Sequence, residues 1–277
     1  MSKGILSPKV DFIFKKIFGS EKHPRVLISF LNAVMKPKDL IKTVEIKETD
    51  INKEFLEDKF SRLDVKATTN KGEKINIEIQ LKNEYNMIKR SLYYWSKLYE
   101  EQLNEGDSYD KLERTVCINI LNFRYLAGDR YHSAYRLKEL ETNEELTDIQ
   151  EIHFIEIPKL KDTSDQVEDM LMGWVEFLKD PESEKVRQLE LSHEEMREAK
   201  DELWRLSRNS KERELYDIRE KSLKDKVSAL ATAEQKGIEK GIEKGIEKVA
   251  KRLKETGVEV SIIQATTGLS IDEINRI

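Results

Sequence analysis

Asp64, Lys66, Glu78 and Gln80 fall within one short stretch, RLDVKATTNKGEKINIEIQ, running from Arg62 to Gln80. Read as a β-hairpin, this stretch sets Asp64 opposite Glu78. Opposed strand residues have Cβ atoms about 4.5–5.5 Å apart, and like charges at that spacing destabilise the pair. A cation between the carboxylates removes the conflict. Lys66 or Arg62 could supply it, as on any solvated strand face. A divalent metal could also do so, because two carboxylates at this spacing suit Mg²⁺, with waters and a phosphate completing its shell. Such an ion activates water and neutralises charge on a phosphoryl group in transfer. Gln80 shares the face of Glu78 and can orient the water, while Lys66, beside Asp64, can stabilise a pentacovalent phosphate. Asp11 on the first predicted helix joins this constellation. No other cluster competes. His23, His132, His153 and His193 are scattered without metal-ligand spacing, and the chain has no P-loop, no GxSxG and no dinucleotide fingerprint.

The hairpin rests on its pattern. Leu63, Val65 and Ala67 alternate before the turn and Ile75, Ile77 and Ile79 after it, the period of half-buried strands. Asn70-Lys71-Gly72 fits a three-residue loop, which needs glycine at the position of positive φ. Thr69 then pairs with Glu73, Val65 with Ile77, Ala67 with Ile75 and Leu63 with Ile79. The other face pairs Asp64 with Glu78, Arg62 with Gln80 and Lys66 with Asn76. A two-residue loop mixes the faces and is rejected.

Around the hairpin, Pro8 to Phe18 has helical apolar spacing with Gly19 as a stop, and Pro24 opens a second apolar helix. Thr43 to Lys47 fits a short strand. A long amphipathic helix is expected over about 86–104, carrying Lys89, Arg90 and a cluster of aromatic residues that spread over more than one face and are mostly core. Arg114 to Leu121 reads as a buried strand, and Tyr131 to Leu137 can pair with Ile149 to Ile157. This alternation predicts a compact α/β domain over 1–160. Beyond it the pattern is helical: Asp165 to Leu178 is amphipathic, and Ser192 to about Lys251 is charged enough for very long helices. The repeat GIEKGIEKGIEK, from Gly237 to Lys248, gives each residue type a slowly drifting stripe on a helix. Each glycine costs about 1 kcal/mol of helix propensity relative to alanine. The repeat is either a helix–helix packing surface or a partly helical linker; its charges exclude a membrane GxxxG pair. The tail reads as a short helix, a glycine turn and a second helix with a Ser270–Glu273 capping box, a cap or dimerisation element rather than a DNA reader. The expected division is 1–160, 161–236 and 237–277.

Composition narrows the class. Hydrophobic residues make up 38% and charged residues 37% of 277, so the core is modest and part of the chain is extended helix. Cys117, the only cysteine, excludes a disulfide framework and lies in the apolar run TVCINIL. No signal peptide or membrane-length apolar run is recognised, and a cytoplasmic location is expected. The net charge of −5 argues against a non-specific DNA binder, yet residues 1–47 carry ten Lys/Arg against four Asp/Glu, and residues 139–217 carry 24 acids against 11 bases. A basic N-terminal part can contact phosphate. Lys15 and Lys16, following Asp11 on the same helix, are the leading candidates, with Lys89 and Arg90 next.

Several segments together resemble one family: DFIFKKIFG at Asp11, RLDVKA at Asp64, INIEIQ at Glu78, KRSLYYWSKLYEEQL from Lys89, the GIEK repeat and the TGLSIDEI tail. The chain is similar to the Rpn family of recombination-promoting nucleases and transposase-like proteins, within the PD-(D/E)XK superfamily. The resemblance spans nearly the whole chain. It implies a restriction-endonuclease-like mixed sheet flanked by helices and followed by a long helical C-terminal region. It also implies a bacterial DNA endonuclease, dependent on Mg²⁺ or another divalent ion and linked to recombination, mobile elements or phage defence. By the same resemblance Asp64 and Glu78 hold the metal, Asp11 gives a third carboxylate, and Gln80 stands where the wider superfamily has lysine, which leaves the base unassigned. A homodimer or higher homo-oligomer through the C-terminal region is expected. The alternative is an inactive nuclease fold that acts as a DNA- or protein-interaction module through its helical tail.

Overall fold

The structure, a computed structural model, describes residues 4–47, 64–161 and 169–277. They form two compact units, Met1–Ser222 and Leu223–Ile277.

In the first unit a six-stranded mixed sheet has the order β1-β2-β3-β4-β6-β5. Strands β1 (Val44–Lys47), β2 (Val65–Thr69) and β3 (Lys74–Gln80) are antiparallel neighbours. Strand β4 (Thr115–Leu121) lies parallel to β3 and to β6 (Glu145–Glu156), and β5 (His132–Lys138) closes the edge antiparallel to β6. The β2–β3 register is the one expected from the alternation: Val65 opposite Ile77, Lys66 opposite Asn76 and Ala67 opposite Ile75. At the turn the Thr69 amide donates to the Glu73 carbonyl at 3.0 Å. Gly72 has φ +84°, a conformation for which a side chain is strained. The expected pairs of Arg62 and Leu63 lie outside the described residues.

Alternation gives the sheet two faces. One carries Val65, Ala67, Ile75, Ile77, Ile79, Val116, Ile118 and Ile120, all buried. Helices α1 (Asp11–Phe18) and α2 (Pro24–Met35) cover it. Helix α1 stops at Gly19, where an added Cβ would meet the Lys15 carbonyl oxygen at 2.7 Å and Val65 Cγ2 at 3.3 Å. Phe18 stacks on Phe14 with centroids 4.5 Å apart and meets Phe30 and Trp174 edge-on at 5.3 and 5.4 Å. Such pairs add about 0.5–1.5 kcal/mol each beyond area burial. Trp174 comes from α4 (Met170–Lys179), whose N-cap Asp169 accepts from the Met172 amide; the part of this helix expected before it lies outside the described residues. Helices α5 (Glu184–Ser192) and α6 (Glu194–Arg208) extend the same core through Val186, Met196, Leu203 and Leu206. The helices between Met170 and Arg208 therefore pack with the N-terminal helices.

Helix α3 (Met87–Glu100) covers the opposite face. Its Met87 packs with Cys117, Leu121, Ile152 and Phe154, and Trp95 joins from the edge, donating Nε1–H to the Thr115 carbonyl at 2.9 Å. The aromatic residues of this helix are less buried than expected for core: only Met87 and Ser91 are buried, and Tyr93 is 63% exposed.

Helix α7 (Ser210–Glu255) runs across the division between the units. In the second unit its last turns meet α8 (Val260–Thr267) and α9 (Ile271–Arg276) around Ala250, Ile263 and Ile274. The expected capping box of Ser270 and Glu273 is present. No helix among the described residues is long and apolar enough to cross a membrane.

Candidate active site

Glu78 stands near the C-terminal end of β3, and Asp64 immediately precedes β2, where continuing the register places it opposite Glu78. Glu78 is 3% exposed. Both carboxylates act on Cys117: burial first, then Glu78, then Asp64 push its thiol up to about 12, opposed by Lys66. The two acids thus share one neighbourhood on the α3 side of the sheet. Asp64 Oδ1 is a buried oxygen that accepts no hydrogen bond, although the residue has other interactions.

The cation beside Glu78 is Arg90 of α3. Its Nη2 donates to Glu78 Oε1 at 2.6 Å and its Nε to Oε2 at 3.1 Å, a two-pronged grip with the arginine side chain only 10% exposed. Gln80 Nε2 donates to the same Oε1. Tyr94, one turn along α3, lies under the guanidinium with 4.9 Å from Cζ to the ring centroid. The helix is pinned at this level: Ser91 Oγ donates to Asn119 Oδ1 at 2.9 Å, and Asn119 is the strand partner of Glu78. Sequence reasoning singled out Arg90 for phosphate and Lys66 or Arg62 for the carboxylates. The usable signal was the i, i+4 spacing of Arg90 and Tyr94, which places both on the inward side with Met87 and Ser91.

The other candidate residues are placed as follows. Lys66 is exposed, with Asn76 as its strand partner. Asp11 opens α1 and is 7% exposed; Arg219 of α7 holds it, with Nε to Oδ1 at 2.9 Å and Nη2 to Oδ2 at 2.5 Å. Lys15, one turn further along α1, donates from Nζ to the Asp64 carbonyl at 2.9 Å and is 8% exposed. Lys16 pairs with Glu212 at 3.4 Å. Lys89 is exposed. The fold therefore brings Asp64, Glu78, Gln80, Lys15 and Arg90 together, whereas the Asp11 carboxylate is engaged by Arg219. No group of three His, Cys, Asp or Glu side chains among the described residues is arranged to hold a metal.

The structure also joins two histidines that look scattered in sequence. His132 on β5 and His153 on β6 stack with centroids 5.2 Å apart, and their ring nitrogens Nε2 and Nδ1 lie 2.9 Å apart. His153 Nε2 is 2.6 Å from Glu151 Oε1. Arg136 donates to Glu151 Oε2 at 2.6 Å, and Arg114 bridges Glu151 and Glu73. Burial, then His153 and Lys36, pull His132 down to about 4, against the opposing charges of Asp169 and Glu151. Burial raises Glu151, but the hydrogen bond and charge of His153 and the pairing with Arg114 outweigh it, leaving it at about 2. Alternation puts this network on the α1 face of the sheet, away from Glu78.

The fold and site define a class: a mixed α/β sheet with one acid on β3, a second just before the neighbouring β2, and a basic, aromatic helix across them. A family model described as PD-(D/E)XK nuclease family transposase matches residues 8–233. The chain belongs to this PD-(D/E)XK nuclease family of transposases, as the sequence motifs indicated. Comparison with curated proteins gives no match, and neither does comparison with solved structures.

Proposed function

We propose that the chain is a divalent-metal-dependent DNA endonuclease, acting in the cytoplasm in recombination, on mobile elements or in phage defence. One observation carries this reading: a buried carboxylate, Glu78, stands beside Asp64 and is bound to a cationic side chain. The site has an affinity for positive charge built into the sheet. Its donors are hard oxygens, the Asp64 and Glu78 carboxylates with the Gln80 amide oxygen nearby, and these suit Mg²⁺. Bound there, the ion supplies an activated water and neutralises charge on the phosphoryl group.

The chain's own residues do the rest. Lys15 fixes the backbone at Asp64 through its carbonyl. Gln80 spends its amide N–H on Glu78, which leaves its carbonyl oxygen as an acceptor. An amide is too weak a base to take a proton, so Gln80 orients water rather than deprotonating it. Lys66 and Lys89, both exposed, supply positive charge for phosphate. Self-association through the C-terminal helical region would give a two-strand cutter one site per subunit.

Plasmid cleavage with and without Mg²⁺ tests the reading, alongside Asp64→Asn and Glu78→Gln. Both variants should lose cleavage, and DNA affinity in Lys89→Ala should show a log–log salt slope smaller by about one. Unaltered cleavage in either carboxylate variant overturns the site. A second reading is a nuclease fold that binds DNA or protein without cutting. It is favoured by the Arg90 grip on Glu78 and by the engagement of Asp11 with Arg219. Salt-dependent DNA binding without cleavage under any divalent ion would select it.

A further inference from the structure

Arg90 and a divalent ion have the same target. The guanidinium uses both oxygens of Glu78, one through Nε and one through Nη2, and Gln80 adds a third donor to Oε1. A metal ion needs at least one of those oxygens. Arginine stays charged at any working pH, so it cannot step aside by losing a proton. The two cations also repel in a site that admits little water. Metal binding is therefore favoured when Arg90 releases Glu78. Its backbone cannot follow, because Ser91 and Met87 anchor α3 to the sheet. The side chain must swing, and Tyr94 offers it a flat surface to turn on. A guanidinium fork that fits a carboxylate also fits a phosphate.

We propose that Arg90 is a built-in counter-ion for Glu78 that passes to a substrate phosphate when the metal enters, so that metal and DNA each promote the binding of the other. The inference rests on the metal-site reading given above. In the absence of DNA, Arg90 competes with the ion and keeps the site inactive. With DNA present, the phosphate takes the guanidinium and the carboxylate is released to the metal. Arg90 thus touches the metal-site carboxylate in one state and the substrate phosphate in the other, and the coupling is reciprocal by linkage.

The test is calorimetric titration of the full-length chain with Mg²⁺ alone and with Mg²⁺ in the presence of a short DNA duplex. In the wild type the duplex should tighten the Mg²⁺ Kd. Arg90→Gln should tighten the Kd measured without DNA by about 10- to 100-fold, the value of charge-assisted hydrogen bonds removed from the competing state. It should also abolish the effect of the duplex on the Mg²⁺ Kd while weakening DNA binding itself. Arg90→Lys retains the charge without the fork, guards against loss of fold in the glutamine variant, and should fall between the two. A purely structural Arg90 would weaken Mg²⁺ binding when replaced. An Mg²⁺ Kd that is unchanged or weaker in both variants, or that is insensitive to the duplex in the wild type, overturns the proposal. If Glu78→Gln still abolishes Mg²⁺ binding in that case, the metal site itself stands. Absence of Mg²⁺ binding in the wild type, with or without DNA, overturns both.

Discussion

Replacing Arg219 by methionine leaves the Asp11 carboxylate buried against the start of α1 without its guanidinium. Arg219 is 0% exposed and Asp11 7%. Two of its nitrogens reach both carboxylate oxygens at 2.5–3.2 Å. Removing one partner of a buried pair costs about 3–5 kcal/mol, because the survivor is left uncompensated. That is a large share of a total stability of about 5–15 kcal/mol. With a urea dependence near 3 kcal/mol per molar, at the upper end of the usual range, the unfolding midpoint should fall by about 1–2 M. Fluorescence follows this unit directly, since Trp95, Trp174 and Trp204 all precede Ser222. Adding Asp11→Asn should recover part of the loss: the amide carries no charge and keeps the acceptor that the Phe12 amide uses at 2.8 Å. A methionine variant within about 0.5 kcal/mol of the wild type, the range of ordinary surface changes, would refute the buried-pair argument. So would a double variant less stable than the single one.

Two further outcomes are expected. His132 is held at about 4, below its ordinary 6.5, so the unfolded chain binds more protons between those values and stability should fall as pH drops through that window. Glu151, held at about 2 against 4.5, adds a second loss as pH falls below about 4.5; His132→Gln should remove the first loss and leave the second in urea titrations across pH. In the C-terminal unit an added Cβ at Gly237, Gly241 or Gly245 meets nothing within 4 Å, and Ile238 and Ile242 on the same repeat are more than half exposed. Changing the three glycines to alanine should weaken self-association in sedimentation although each change favours helix by about 1 kcal/mol; association equal to wild type would remove the repeat from the interface.

The hairpin was readable because two independent signals agree. Strict alternation fixed which residues share a face, and Gly72 fixed the loop length, so the Val65–Ile77 register followed. The stop at Gly19, the β5–β6 pair and the Ser270 capping box were equally local. Distance in sequence hid the rest. Asp11 and Arg219 lie 208 positions apart, and no periodicity in either helix points to the other. His132 and His153 meet only once β5 and β6 are in register. Arg90 was visible as a basic residue on an amphipathic helix, but a helix pattern does not tell whether a long side chain near the boundary reaches outward to phosphate or inward to Glu78. The pair of opposed acids raised the right question, and a residue on a third element answered it.

The first unit is closed by segments from its two ends. The Gly4 carbonyl accepts from Arg213 at 2.8 Å, the Leu6 amide donates to Ser207 at 3.0 Å, and Asp11 waits for Arg219. On a ribosome adding about 5–20 residues per second, the interval between making Asp11 and making Arg219 is roughly 10–40 s. During that interval the strands bearing Asp64 and Glu78 already exist, while the N-terminal helix that steadies Asp64 through Lys15 still lacks its counter-charge. A message cut short before codon 219 would yield a chain with Asp11, Asp64 and Glu78 but without the guanidinium that pairs with Asp11 at the start of α1. Closure of this unit around Asp11 therefore waits until Arg219 has been made.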